Sequence, residues 1–142
     1  MYNKVIIIGL VSSFVLLEGS AQSVLGIWKT VDDEDGTEKS KVEIFEQDGL
    51  IFGKVIELLP AADGTHCEKC KGELKGAPVV GMQILWDMEA QNKAWKGGFI
   101  LDPNKGKEYR CVLSLEDPNT LKVRGYIGTP WLGRTQYWYR AN

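Results

Sequence analysis

The residues best equipped for chemistry lie together at His66-Cys67-Glu68-Lys69-Cys70, where three side chains able to bind a metal or exchange electrons occupy five positions. Two cysteines at this spacing can form a local bridge, begin a zinc site or act as a redox pair. Zinc needs a second pair of ligands, and His66 is the only histidine and Cys111 the only other cysteine, so no metal site is expected. Thioredoxin-like exchange needs the first cysteine at a helix N-terminus inside an α/β unit, where the dipole lowers its pKa. Here the pair sits in a lysine- and glycine-rich connection. The structural disulfide Cys67–Cys70 is the leading reading, with metal binding and redox exchange as its alternatives. Cys111 alternates with Tyr109 and Leu113 and reads as a small buried apolar group.

Other constellations carry less. If Gly36 is placed at the sixth position of a calcium loop, the run Asp32-Asp33-Glu34-Asp35 puts Val31 and Val42 where the first and last carboxylates belong. A solvated hairpin accounts for the same acids. No Gly-x-Ser-x-Gly elbow is present, and Glu43, Glu57 and Glu108 fall among outward-looking alternants, so no enzyme and no cofactor are expected.

These residues are positioned by a chain of short alternating runs. The N-terminus has Lys4, the apolar run 5–17 and the small residues Gly19-Ser20-Ala21, a secretion-signal pattern cleaved before Gln22. The run is shorter than the ~20 residues of a spanning helix. Residues 1–21 are therefore read as a signal peptide and 22–142 as one domain, exported to the periplasm or the extracellular space, with no membrane span after processing. Loss of Lys4 and Glu18 leaves the net charge at -2. Lysines interleave with glutamates, so nucleic acid is not an expected partner.

Period-two alternation predicts eight strands, at 25–31, 39–46, 50–59, 80–86, 94–101, 107–115, 120–127 and 134–140. Residues 88–93 are too short and too poor in apolar period to hold a useful helix. The turns between strands are mostly short, which favours an antiparallel eight-stranded meander closed into a small β-barrel. A sandwich would need more long crossovers than the single connection through residues 60–79. Closure places the first strand beside the last, so Arg140 can lay its guanidinium over the Trp28 indole as a barrel-closing contact.

Arg134, Gln136, Trp138 and Arg140 share one face of the last strand. If Arg140 covers Trp28, that face points inward. In the preceding strand Arg124 and Tyr126 share a face opposite Val123 and Ile127. An interior of aromatics with a few polar groups is how a small-ligand pocket is made. The candidate lining is Trp28, Phe52, Tyr109, Tyr126 and Trp138, with Arg124 or Gln136 as polar anchor. A filled interior whose polar groups satisfy one another is the competing expectation. Trp131, in a Gly-Pro-bounded loop, either packs over the barrel end or guards its mouth or meets a partner.

Longer words carry a family resemblance: GIWKTVDDEDG from Gly26, IFGKVIEL from Ile51, CEKCKGELKGAPVVGMQIL from Cys67, WKGGFILDPNKGKEYRCVL from Trp95, and LKVRGYIGTPWLGRTQYWYR from Leu121. Together they resemble the bacterial family called domain of unknown function 2147, from about Gly26 to Arg140. The resemblance implies an exported envelope protein with a lipocalin-like, calycin-type barrel, and implies no activity. The wider lipocalin-like group shares a Gly-x-Trp on its first strand and a basic residue near its last, matched by Gly26, Trp28 and Arg140.

The expected function is non-enzymatic binding of a small, largely apolar ligand in the barrel. The alternative is an envelope structural or protein-interaction module with a filled barrel, working through the loops 61–78 and 128–133. A redox role for the Cys67–Cys70 bridge is the third reading.

Overall fold

In β1 (Gly26–Val31) and β2 (Glu38–Gln47) every second residue is buried: Trp28 and Thr30 in the first, Ser40, Val42 and Ile44 in the second. This alternation folds the strands onto one interior. The computed structural model describes Gly9 and residues 23–141. The predicted signal segment and the Gln22 cleavage point otherwise lie outside the described residues.

The further strands are β3 (Leu50–Leu58), β4 (Gln83–Gln91), β5 (Ala94–Lys96), β6 (Phe99–Asp102), β7 (Lys107–Asp117), β8 (Thr120–Tyr126) and β9 (Gly133–Ala141). All pairings are antiparallel and most join sequence neighbours, the exceptions being β4 with β6, β5 with β7, and β1 with β9, which closes the ring. The segments β5 and β6 share one place between β4 and β7. The result is a closed eight-stranded antiparallel barrel whose fifth member is interrupted.

Three departures from the sequence expectation have local causes. The run 94–101 is two strands because a Cβ on Gly98 would collide with the Trp86 carbonyl, and the chain steps out of the ladder there. The fourth strand begins at Gln83 because residues 79–82 turn first, with Gly81 N–H donating to the Val55 carbonyl and Met82 N–H to that of Val79. It then runs through residues 88–91, turning at Asn92, a non-glycine with φ 57°. A hairpin at Asn92-Lys93 has no glycine to announce it.

The long connection is itself built. Its backbone returns on itself through Cys67 N–H to Ala77 O, Gly76 N–H to Cys67 O and Val79 N–H to Thr65 O. The Cys67–Cys70 disulfide staples the near end, and both cysteines join the buried core with Val79 and Met82.

One end of the barrel is sealed by Trp28, which is 0% exposed and donates its indole N–H to the Val24 carbonyl at 2.9 Å. The Arg140 guanidinium lies 4.3 Å from the indole and donates to the carbonyls of Ser23, Leu25 and Pro118 at 2.8, 2.8 and 3.0 Å. Gly26 has φ 124°, and a Cβ there would stand 2.9 Å from Arg140 Nη1, so the glycine two residues before Trp28 makes room for the arginine.

Arg140→Ala should lower stability by about 1–3 kcal/mol, because three carbonyl contacts and the stack on Trp28 are lost together. Arg140→Lys should recover only part, since an ammonium cannot fan out to three acceptors from above a ring. Urea denaturation of both variants checks this, and an unchanged midpoint for Arg140→Ala contradicts it.

Candidate functional site

The opposite end of the barrel is hollow. A cavity of about 150 Å³ lies there, bounded by the strand ends Thr30, Ser40, Val55, Tyr109, Val123, Gly125 and Gln136 and floored by Trp138. Its position follows from a taper along the strands. Going from the sealed end outward, Trp28 gives way to Thr30, Ile44 and Val42 to Ser40, Leu121 and Val123 to Gly125, and Trp138 to Gln136. Large apolar side chains fill one half, and smaller or polar ones leave space in the other.

The wall is apolar at Val55, Val79, Ile84, Ile100 and Val123, with polar groups at fixed places. The buried hydroxyls of Thr30 and Ser40 meet at 2.8 Å. From the floor a polar chain climbs to the rim: Trp138 Nε1 donates to Gln136 Oε1 at 3.2 Å, and Gln136 Nε2 donates to Asp33 Oδ1 at 3.2 Å. Arg134 then holds Asp33 through Nε at 2.9 Å and Nη2 at 2.8 Å, and reaches Glu34 at 2.9 Å.

Charged links tie the loops around this mouth. Asp33 and Glu34 belong to the β1–β2 loop, and Lys105 of the β6–β7 turn reaches Glu34 at 3.6 Å. Lys39 joins Asp35 to Asp63 of the β3–β4 connection, and Asn104 of the β6–β7 turn donates to Asp63 at 2.7 Å. Burial alone would raise the Asp33 carboxyl, but hydrogen bonds from Gln136, Arg134 and its own backbone, with the Arg134 charge, outweigh it and hold its pKa below the ordinary 3.8.

The sequence-predicted lining divides in two. Tyr109, Gln136 and Trp138 stand together at the cavity. Trp28 does not reach it, being buried in the sealed half. Phe52, Arg124 and Tyr126 need correction. Phe52 stacks on Phe45 outside the barrel, because Ile51, Gly53 and Val55 take the inward positions of β3. A Cβ at Gly53 would stand 3.1 Å from Leu85 Cβ and 3.3 Å from Val42 Cγ1, which marks the glycine as the residue facing in. Arg124 and Tyr126 likewise alternate with the inward Val123 and Gly125. Arg124 spends its guanidinium on the Pro130 carbonyl and the Thr135 hydroxyl. Trp131 does not pack over the barrel end, being 85% exposed.

Arg134, Asp33, Thr30 and Ser40 also border the cavity, outside the lining that the sequence predicts. Arg134 shared a face with Gln136 and Trp138, which was the available signal. Burial pushes the Cys111 thiol up to about 12, so it stays protonated and is no nucleophile at neutral pH. Among the described residues no group of three or more His, Cys, Asp or Glu is placed to hold a metal ion.

The mouth links predict an acid dependence. A carboxyl whose folded pKa is lowered stabilises the fold fully above its unfolded value of 3.8, and that contribution is lost as pH falls through the lowered value. The stability gap between wild type and Asp33→Asn should be constant at neutral pH, no more than about 1 kcal/mol given the solvent around the pair. It should shrink below pH 3.8. Thermal melts of both proteins across that range check this, and a gap that widens in acid contradicts it.

Among solved structures, the chain is similar to protein HP1028 from the human pathogen Helicobacter pylori, described as belonging to the lipocalin family, with TM-score 0.74, 20% identity and 84% of each chain covered. A redesigned beta barrel, b11L5F_LGL, superposes with TM-score 0.50 at 15% identity, covering 83% of this chain and 91% of that one. At these identities the likeness is one of fold, a lipocalin-like barrel. No curated protein matches the chain. The profile of the family described as "Uncharacterized protein conserved in bacteria (DUF2147)" matches residues 26–140, and the chain belongs to that family.

Proposed function

We propose that this chain is an exported envelope protein that binds one small, largely apolar molecule, held in the open half of its barrel. The observation that carries the reading is the cavity of about 150 Å³ with apolar walls and a polar rim. A space of this size takes a single ring or the end of a short chain rather than a large lipid. A polar head on the same molecule would meet Gln136, Ser40 or Arg134 at the rim, while the apolar part lies against Val55, Val123 and Trp138. Tyr109, on the wall beside Gly125, adds an aromatic side chain to the lining.

Export rests on the sequence of residues 1–21, and the Cys67–Cys70 disulfide is compatible with an oxidising compartment. Among the described residues no helix is long and apolar enough to cross a membrane. Binding without catalysis fits a site whose polar groups are occupied with one another. The core of the sealed half is filled, as the interaction-module reading expects, but the open half is not.

Native mass spectrometry of protein purified from its own host should show a bound small molecule in the wild type and none in Val123→Trp, whose added ring fills the cavity from β8. Chemical shifts of Val55, Ile84 and Val123 methyls should move on adding the extracted molecule to stripped wild-type protein. A wild type free of any adduct, with no methyl perturbation by host lipid extract, overturns the reading.

A further inference from the structure

The loop between β8 and β9 carries Ile127, Trp131 and Leu132 at 57%, 85% and 73% exposure, the largest apolar exposures among the described residues. Such a tip costs solvation, yet it is held in shape. Ile127 N–H donates to Leu132 O at 3.2 Å and Leu132 N–H to Thr129 O at 3.0 Å. Arg124 clasps the Pro130 carbonyl through both Nε, at 3.1 Å, and Nη2, at 2.5 Å. The loop leaves the barrel between Tyr126 and Gly133, beside the cavity residues Gly125 and Arg134, so it projects from the rim of the open end.

The outer wall below this tip carries three cations close together. Lys29, Lys39, Lys41, Lys54, Lys105 and Arg134 all pair with carboxylates. Among the described residues Arg110, Lys122 and Arg124 pair with no carboxylate, as Lys93, Lys96 and Lys107 do not, and are set apart by standing side by side. They are adjacent on the outward positions of β7 and β8. Arg110 stands opposite Tyr126, Arg124 opposite Thr135, and Lys122 opposite Tyr137. Glu108 and Glu116 on β7 lie at either end of this group. Phe99 lies under Arg110 at 4.5 Å, and Tyr137 and Tyr139 are exposed along the same wall.

We propose that this tip and wall dock the protein on the surface of an anionic lipid bilayer, with Trp131, Leu132 and Ile127 entering the interface and Arg110 and Lys122 meeting lipid phosphates. Tryptophan and tyrosine favour the headgroup level of a bilayer, and uncompensated cations favour an anionic one. The convex shape argues for lipid over protein. A projecting tryptophan needs a medium it can enter, and the cations beside it favour one whose headgroups are anionic. Docking here would bring the cavity mouth to the membrane, where apolar small molecules collect. The surface and its test do not depend on the cavity being filled.

The test is sedimentation of the full chain with vesicles of phosphatidylethanolamine and phosphatidylglycerol in equal parts, against vesicles of phosphatidylcholine alone. Wild type should sediment with the anionic vesicles and weakly with the neutral ones. The Trp131→Ser, Leu132→Ser double variant alters only solvent-facing side chains, and should bind the anionic vesicles at least about tenfold more weakly. Arg110→Glu with Lys122→Glu should lose about twentyfold or more at low salt, and the wild-type advantage over it should shrink as salt rises. Circular dichroism melts confirm that each variant is folded, and the two variants test the surface independently. Absence of sedimentation with anionic vesicles overturns the proposal. Equal sedimentation of wild type and both variants does so too, as does a protein partner captured through Trp131 in the absence of vesicle binding.

Discussion

The position of one guanidinium governs the rest of this barrel. Arg140, near the end of the last strand, reaches back over Trp28 of the first and binds the carbonyls of Ser23, Leu25 and Pro118. Those carbonyls belong to the segment entering β1 and to the β7–β8 turn, which a closed sheet cannot satisfy within its own ladders. Arg140 also pairs in register with Trp28, so the contact that seals the end lies on the seam where the ring closes. A shift of one residue along that seam would put Trp28 and Arg140 on opposite faces of the sheet.

The two ends of the barrel thereby differ in physics as well as shape. At the sealed end the arginine meets neutral carbonyls and an indole face, contacts little affected by pH. At the open end the loops are joined by carboxylates, through Asp33, Glu34, Asp35 and Asp63, to Arg134, Lys105 and Lys39. These links are solvent-accessible, screened by salt and sensitive to acid. The sealed end can set the register while the open end admits change, since loop links of low individual worth can be broken without disturbing the ladders.

The fold was legible in the sequence because alternation and turn chemistry agree through most of the chain. β2, β7 and β9 stand within two residues of their expected bounds, and Trp28 lies against Arg140 as closure of the first strand on the last predicts. The site was less legible because strand phase was judged by the bulk of aromatic side chains. Phe52 and Tyr126 look like lining, yet each neighbours a glycine, Gly53 and Gly125, that holds the inward position. A glycine has no hydrophobicity to announce that it faces the core. Its meaning came from what stands opposite, Leu85 and Val42 for Gly53 and Tyr109 for Gly125. Asn92 and Gly98 were obscure for a related reason, because a turn and a strand break depend there on backbone approach rather than composition.

The lipocalin-like fold does not determine what the barrel holds, since one scaffold serves many ligands. What this chain adds is a limit on depth. Trp138 lies across the interior, tied by its indole N–H to Gln136, with the buried Trp28, Val42, Ile44 and Leu121 on its far side. The empty half exists because Thr30 and Ser40 occupy positions where larger apolar residues would extend the core. Filling those positions would stabilise the barrel by burying more apolar surface, so the small residues carry a cost in stability. Two buried hydroxyls bonded to one another form a weak reason for that cost on structural grounds alone. They form a better one if the space they border is used, and the chain from Trp138 through Gln136 and Asp33 to Arg134 supplies the connection. A molecule pressing on the floor would disturb the same hydrogen bonds that hold the β1–β2 loop across the mouth.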